Sequence, residues 1–263
     1  MTKSKRHKMI VDILSRRGDI KTVDLIEELG VSIETIRRDY NELEQAGILK
    51  KSYGGAVLVS NYLRVTELET WQKRRKTLQF EKELITQKAV DYVAEGSVLA
   101  IEIGTTIYAL SKHLAKKNNL TIITSDLLAA QEVWHNPSNQ VYLVGGLLSQ
   151  PYFTTGYLSK EFLSYFSLID VFIFSTDGIT INEGFTSISA EINDYKRTLL
   201  RKATKNIVVA DHSKFDKKAI FHTCNLQEID LLITDSGAPR DFIEKIKSQG
   251  VAVEVVSVEN NPT

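Results

Sequence analysis

The sequence predicts an α/β protein in two parts, a small N-terminal domain of three helices and a hairpin followed by a larger C-terminal domain with a largely parallel sheet. Two observations carry this. Residues 5 to 47 hold apolar side chains at helical spacing: Met9, Ile10, Ile13 and Leu14 form one stripe, Leu25, Ile26 and Leu29 a second, Ile36, Tyr40 and Leu43 a third. From about residue 98 the texture changes to short β-rich runs, VLAIEI, LTIIT, QVYLVG, VFIFST, NIVVA, LLIT and AVEVV. Stretches that read as helices separate them, at 106 to 117, 126 to 134, 190 to 203 and 240 to 248. Strands apolar at nearly every position and alternating with helices belong to a parallel sheet covered on both faces.

The bulk numbers fit a globular chain and exclude several classes. Of the 263 residues, 43% are hydrophobic and 25% charged, too apolar for disorder to dominate. With 33 basic against 33 acidic residues the net charge is zero, so a preference for nucleic acid, membrane or anion must come from local placement. The single cysteine, Cys224, cannot form an internal disulfide, and no His or Cys pairs stand at metal-ligand spacing, so no metal and no cofactor is expected. The basic start MTKSKRHKMIVDIL is broken by Asp12 and followed by Arg16 and Arg17, unlike a signal peptide, and no apolar run approaches the roughly 18 residues of a membrane span. A cytoplasmic protein without membrane contact is the expectation.

In the N-terminal part, Thr22 reads as the N-cap of a helix through Leu29, Gly30 as its left-handed terminator, and Ser32 as the cap of the next helix. Val31 and Ile36 stand at the spacing of a hydrophobic staple across that second start. Two helices joined by so tight a turn form a helix-turn-helix. With Ile36, Tyr40 and Leu43 facing inward, Thr35, Arg37 and Arg38 turn toward solvent. The alternative is an ordinary solvated face, with either arginine paired to Glu34, Asp39 or Glu42. After Gly47, Ile48 to Ser52 and Ala56 to Val59 can pair around Gly54 and Gly55, completing a winged helix-turn-helix domain. Such a domain places its second helix in the major groove of double-stranded DNA, with Thr22, Ser32, Thr35, Arg37 and Arg38 as the expected DNA-binding residues, while Lys50, Lys51 or Tyr53 of the wing reach the sugar-phosphate backbone. Residues 1 to 53 hold eleven Lys and Arg against nine Asp and Glu, so affinity requires basic groups gathered on one face and doubling as a homo-dimer or homo-tetramer. The domains are expected at 1–57 and 79–258, with 58–78, charged and free of Pro and Gly, connecting them.

The C-terminal part carries polar groups where its strands end. VLAIEI runs into Gly104-Thr105-Thr106 just before a helix, a turn that lets backbone N–H groups approach an anion. It lacks the Lys-Ser/Thr of a nucleotide-binding P-loop and the third glycine of a dinucleotide fingerprint. Gly145-Gly146, Asp177-Gly178, Asp211 to Lys214 and Asp235 end other strands, and in a parallel sheet these ends share one edge where ligands bind. Alone, each has a plain structural reading: a tight turn at Gly104, a turn residue at Asp177, a local ion pair of Asp211 with Lys214. Together they point to a small phosphorylated ligand.

The segments RHKMIVDILSRRG, VSIETIRRDYNELEQAG and the closing GGA of the wing resemble the DeoR family of bacterial transcription regulators, and the likeness runs from about residue 5 to about residue 235. The resemblance implies a C-terminal sensor domain similar in fold to ribose-5-phosphate isomerase, binding a phosphorylated sugar or related metabolite. It assigns the effector to Glu102, Gly104, Thr105, Thr106, Gly145, Gly146, Asp177, Gly178, Lys196, Asp211 and Lys214. This chain departs from the family pattern at Glu102, where Asp is usual, Ser125 for Asn, Ser175 for Gly and Tyr53 for His.

Two functions compete on these residues. A repressor of carbohydrate-metabolism genes, not an enzyme, uses both domains: one holds operator DNA and the other answers to effector. A sugar-phosphate isomerase would use Glu102 or Asp177 as base and Lys196 or Lys214 to stabilise an enediolate-like oxyanion. An enzyme has no need of VSIETIRRDY.

Overall fold

The computed structural model describes residues 2–17, 19–45, 48–52, 54–58, 71–149 and 152–258. The chain divides into two compact units, Met1–Leu68 with Lys217–Ile220, and Glu69–Asp216 with Phe221–Thr263.

The first unit runs α1 (Lys3–Arg17), β1 (Asp19–Lys21), α2 (Thr22–Leu29), α3 (Ile33–Gln45), β2 (Leu49–Ser52) and β3 (Gly55–Leu58). The three apolar stripes meet in one core, with Ile10, Leu14, Leu25, Ile36, Tyr40 and Leu43 buried. The turn between α2 and α3 is built as its residues dictate. Gly30 takes φ 63° and ψ 37°, and its N–H reaches the Ile26 carbonyl at 2.9 Å. Ser32 Oγ accepts from the Thr35 N–H at 3.3 Å, capping α3. The Thr22 cap is corrected. Thr22 is already helical, because the extended backbone of β1 continues to Lys21, at φ −79° and ψ 140°, and the N–H of Thr22 donates to Gly54 O at 2.8 Å. β1 was not foreseen. It makes the wing three-stranded and antiparallel, in the order β1-β3-β2. Gly55 permits this, since a Cβ there would lie 2.0 Å from the Ile20 carbonyl oxygen.

A buried carboxylate ties α1 to α3. Asp39, 1% exposed, accepts from Arg6 Nε at 2.5 Å and Nη2 at 2.9 Å, and lies 2.9 Å from His7 Nε2. Burial pushes its pKa up, but the hydrogen bonds and charges of Arg6 and His7 outweigh this and hold it below the ordinary value. Asp39→Asn is therefore expected to destabilise the first unit by about 3 kcal/mol, through loss of one partner of a buried pair. Native-state hydrogen exchange at Tyr40 and Leu43 measures it. Because the folded pKa is depressed, the stabilisation is complete above the ordinary value of 3.8 and disappears as pH falls through the folded value. Unchanged exchange in the variant at neutral pH contradicts the role.

The second unit begins with α4 (Trp71–Lys76) and α5 (Gln79–Ala89), so its packed structure includes part of the segment expected to connect the domains. β4 (Val98–Ile101), α6 (Thr105–Leu114), β5 (Thr121–Thr124), α7 (Leu127–Trp134) and β6 (Gln140–Leu143) follow. Next come the hairpin β7 (Leu147–Ser149) and β8 (Phe153–Thr155), then α8 (Tyr157–Ser164), β9 (Ile169–Phe174), β10 (Gly178–Thr180) and β11 (Gly184–Ser187). The unit ends with α9 (Ala190–Leu200), β12 (Ala203–Val209), β13 (Phe221–Cys224), β14 (Leu231–Asp235), α10 (Arg240–Ser248) and β15 (Ala252–Val256).

The seven apolar runs are the seven strands of one parallel sheet, ordered β15-β14-β12-β9-β4-β5-β6. Alternate residues fill opposite cores: Phe172, Phe174, Val208 and Leu232 on one face, Val171, Ile173, Val209 and Ile233 on the other. The chain winds outward from β4 through β5 to β6, then resumes on the far side of β4 at β9. The order therefore reverses between β4 and β9, which sets a crevice at their carboxyl ends.

Candidate functional site

On α3 the buried residues Ile36, Asp39, Tyr40 and Leu43 leave Arg37 and Arg38 exposed. The acids that could have engaged them are mostly held elsewhere. Asp39 belongs to Arg6 and His7, and Glu42 lies 2.6 Å from Lys3 Nζ. Among the described residues neither arginine makes an ion pair, so the solvated-face alternative lacks the pairings it required. Lys51 differs from its expected role: its Nζ stands 2.7 Å from Glu44 Oε2 and 2.7 Å from Asn41 Oδ1, fastening β2 to α3. Lys50 remains exposed on the wing, and Tyr53 lies outside the described residues.

In the second unit, a cavity of about 60 Å³ opens at the reversal between β4 and β9. Glu102 follows β4, is 2% exposed, and its N–H still bonds Ile173 O across the sheet at 3.2 Å. Its carboxylate lies 2.7 Å from Lys196 Nζ and accepts from Ser175 N and Oγ at 2.6 and 2.9 Å. Lys196, from α9, also donates to Ser175 O at 2.7 Å and Ser187 Oγ at 3.2 Å. Glu102 thus reaches the Ser175 hydroxyl, joining two of the positions at which the resemblance implies other residues, Asp and Gly. Asp177 accepts from Ile188 N at 3.0 Å, and Arg74 of α4 approaches it at 3.5 Å.

The strand-to-helix turn is as expected in backbone and different in partners. Gly104 adopts φ 125° and ψ 175°, a conformation open essentially to glycine alone, and α6 starts at Thr105. Its N–H, however, donates to Asp126 Oδ2 at 3.1 Å, while Asp126 Oδ1 caps α7 through Leu128 N and Ala129 N. Asp126 was missed because an acid before a helix reads as a cap, and its second oxygen reaches a residue 22 positions earlier.

Three acids thus face one cavity, with pKa values shifted in opposite directions. Burial pushes the Glu102 pKa up, against the pull of Lys196. Burial also raises Asp126, against the N–H groups of Ala129, Gly104 and Leu128. For Asp177 burial acts the same way, but Arg74, Lys196 and Lys214 outweigh it and hold the carboxyl below its ordinary value.

Of the expected effector residues, Glu102, Gly104, Thr105, Asp177 and Lys196 line the cavity. Thr106, Gly145, Gly146, Gly178, Asp211 and Lys214 do not. Gly145 O accepts from Ser159 Oγ at 2.7 Å, and a Cβ on Gly146 would lie 2.4 Å from Thr155 O, so both serve the packing of α8 and β8. Gly178 opens β10. Asp211 bonds Ser213 N at 3.0 Å and its hydroxyl, capping its own turn instead of pairing with Lys214. Lys214 acts on the site only through its field at Asp177. Trp71, Arg74, Asp126 and Tyr152 complete the lining and were not foreseen. A larger cavity of about 330 Å³ shares Ile103, Phe153 and Ile192 with this one. It offers less to an anion, since Lys160 pairs with Asp194 at 3.6 Å and Glu191 bonds Ser189 at 2.8 Å.

A helix-turn-helix with uncommitted arginines, carried on the same chain as a strand-end cavity, defines a DNA-binding regulator with a ligand domain. Residues 6–62 match the DeoR-like helix-turn-helix domain and residues 78–236 the DeoR C terminal sensor domain, so the chain belongs to the DeoR family of transcription regulators. It is 29% identical to the glycerol-3-phosphate regulon repressor of Escherichia coli K12 over 97% of this chain and 100% of that one. It is 32% identical to the transcriptional regulator GlpR of Haloferax volcanii, over 96% and 98%. To the regulator GolR of Listeria innocua it is 31% identical over 95% and 97%. Among solved structures, ribose 5-phosphate isomerase A of Methanocaldococcus jannaschii gives 13% identity and a TM-score of 0.40 over 53% of this chain and 55% of that one, too slight a likeness to carry an argument. Among the described residues no helix is long and apolar enough to cross a membrane.

Proposed function

We propose that this regulator is a cytoplasmic repressor of carbohydrate-metabolism genes, holding operator DNA as a homo-dimer or homo-tetramer until a phosphorylated sugar or related metabolite occupies the cavity between β4 and β9. The observation that carries the DNA half is the exposure of Arg37 and Arg38, without an ion pair among the described residues, on the outward face of a capped second helix. The effector half is supported by the start of α6 at Gly104-Thr105-Thr106 beside that cavity, and by relatives named for a glycerol-3-phosphate regulon. Glycerol 3-phosphate, a phosphorylated polyol, is accordingly the first effector to try.

Binding without turnover fits the site better than isomerisation. Glu102 is held by Lys196 and two Ser175 donors, so it does not stand free as a general base, and the relatives are named as regulators.

Thermal shift against glycerol 3-phosphate and monophosphates of trioses, pentoses and hexoses tests the effector half. A ligand at 100 times its Kd stabilises the folded protein by about 2.7 kcal/mol. Thr105→Asp places a carboxylate beside Gly104 and is expected to remove that stabilisation while leaving operator binding intact. A full ligand shift in this variant rules out the cavity as effector site.

A further inference from the structure

We infer that Arg74, on the segment by which the chain enters the second unit, is an effector ligand, and that it exchanges Asp177 for the anionic group of the effector. This rests on the reading of the cavity between β4 and β9 as the effector site.

The charge balance of the cavity calls for such a residue. Three carboxylates line it, Glu102, Asp126 and Asp177, against two cations, Lys196 and Arg74. Lys196 is not available: 1% exposed, it is fixed by Glu102, Ser175 O and Ser187 Oγ. The backbone N–H of Gly104 is also taken, by Asp126. A phosphate entering this cavity would meet more negative than positive charge unless a cation could turn to it.

Arg74 is placed to do so. Its guanidinium meets Asp177 through a single long contact of 3.5 Å, and its side chain is 36% exposed. A guanidinium matches the oxygens of a phosphate in two parallel hydrogen bonds, which a lone 3.5 Å approach to a carboxylate does not provide. The neighbouring basic residue is engaged otherwise, since Arg75 lies over the rings of Trp71 and Tyr108, at 5.4 and 4.7 Å from their centroids. Asp177, released, keeps Ile188 N–H and can accept from a sugar hydroxyl.

The exchange acts on α4, because Trp71 and Arg74, which line the cavity, both belong to it. Among the contacts that hold α4 are those of the Trp71 ring with Tyr108 and Tyr152, and Lys82 Nζ donating to the carbonyls of Arg74 and Thr77 at 2.7 Å each. In sequence α4 is the first described element after the DNA-binding domain, so an effector that engages Arg74 acts on the element nearest in the chain to the head.

The test compares wild type, Arg74→Ala, Arg74→Lys, Arg75→Ala and Thr105→Asp, with glycerol 3-phosphate, ribose 5-phosphate, fructose 6-phosphate and inorganic phosphate as probes. Thermal shift and calorimetry read ligand affinity, and fluorescence anisotropy on operator DNA reads the response. The expected result is that Arg74→Ala weakens the best probe at least tenfold and moves the response to correspondingly higher concentration. Arg74→Lys should recover part of the affinity, and Arg75→Ala should match wild type. If wild type and Thr105→Asp differ as expected while Arg74→Ala binds the probe like wild type, Arg74 is no ligand and this inference alone falls. If no probe shifts wild type, or Thr105→Asp binds normally, the effector site itself is misassigned and the inference falls with it.

Discussion

Replacing both Arg37 and Arg38 with alanine is expected to abolish operator-specific binding while leaving the fold and the ligand response of the second unit unchanged. Both side chains are exposed and make no ion pair among the described residues, so removing them opens no cavity and orphans no buried charge. A bidentate arginine contact to a base edge is worth about 1–3 kcal/mol of discrimination, so losing both brings specific affinity down toward the nonspecific level. Lys50→Ala should behave differently. A contact to the sugar-phosphate backbone carries no sequence information, so its loss weakens all duplexes alike and lowers the salt slope by roughly one. Anisotropy against operator and scrambled duplexes over a range of salt separates the two behaviours. Retained discrimination in the double alanine variant would exclude α3 as the reading helix.

Why the sequence disclosed one half of this molecule better than the other follows from where the information sits. The seven sheet strands were legible because each is apolar on both faces, and the helix-turn-helix because its cap and terminator, Ser32 and Gly30, are local. β1, β7, β8, β10, β11 and β13 are three or four residues long and carry no periodicity of their own. Their existence depends on partners distant in sequence, as β1 depends on β3 and on the bare Cα of Gly55. The site divides the same way. Residues at strand ends were found by position, but which of them face the cavity depends on side-chain direction. Asp211 and Lys214 read as a pair, yet the carboxylate turns back on Ser213. Trp71 and Arg74 were passed over because a charged stretch without Pro or Gly looks like a connector, and only the folded unit shows that it lines a cavity.

The same directional problem concealed what Lys196 and Glu102 do for each other, and this gives the second large expected effect. Lys196→Met should destabilise the second unit by about 3–5 kcal/mol at neutral pH, because it leaves Glu102 ionised, buried and without its cation. Methionine fills most of the space of the lysine stem, which limits any cavity contribution. Both tryptophans, Trp71 and Trp134, lie in the second unit, so their fluorescence follows its unfolding separately from the head. The sign of the pH dependence is fixed by Glu102. Burial already raises its folded pKa, and loss of Lys196 removes the charge that opposed the rise. A carboxyl with a raised folded pKa is most compatible with the fold below its unfolded pKa and costs stability as pH rises through the folded value. The deficit of Lys196→Met should therefore shrink as pH is lowered from 7 toward 5. Adding Glu102→Gln, which cannot ionise but can still accept from Ser175, should restore most of the stability and flatten the pH dependence. A deficit that is independent of pH, or that Glu102→Gln leaves uncorrected, means that Lys196 supports the unit through Ser175 O and Ser187 instead of through Glu102. If the expected pattern holds, this pair is the scaffold of the cavity, and its failure to bind effector after mutation would reflect unfolding of the site. Ligand contacts would then be sought among the side chains that can move without exposing a buried charge.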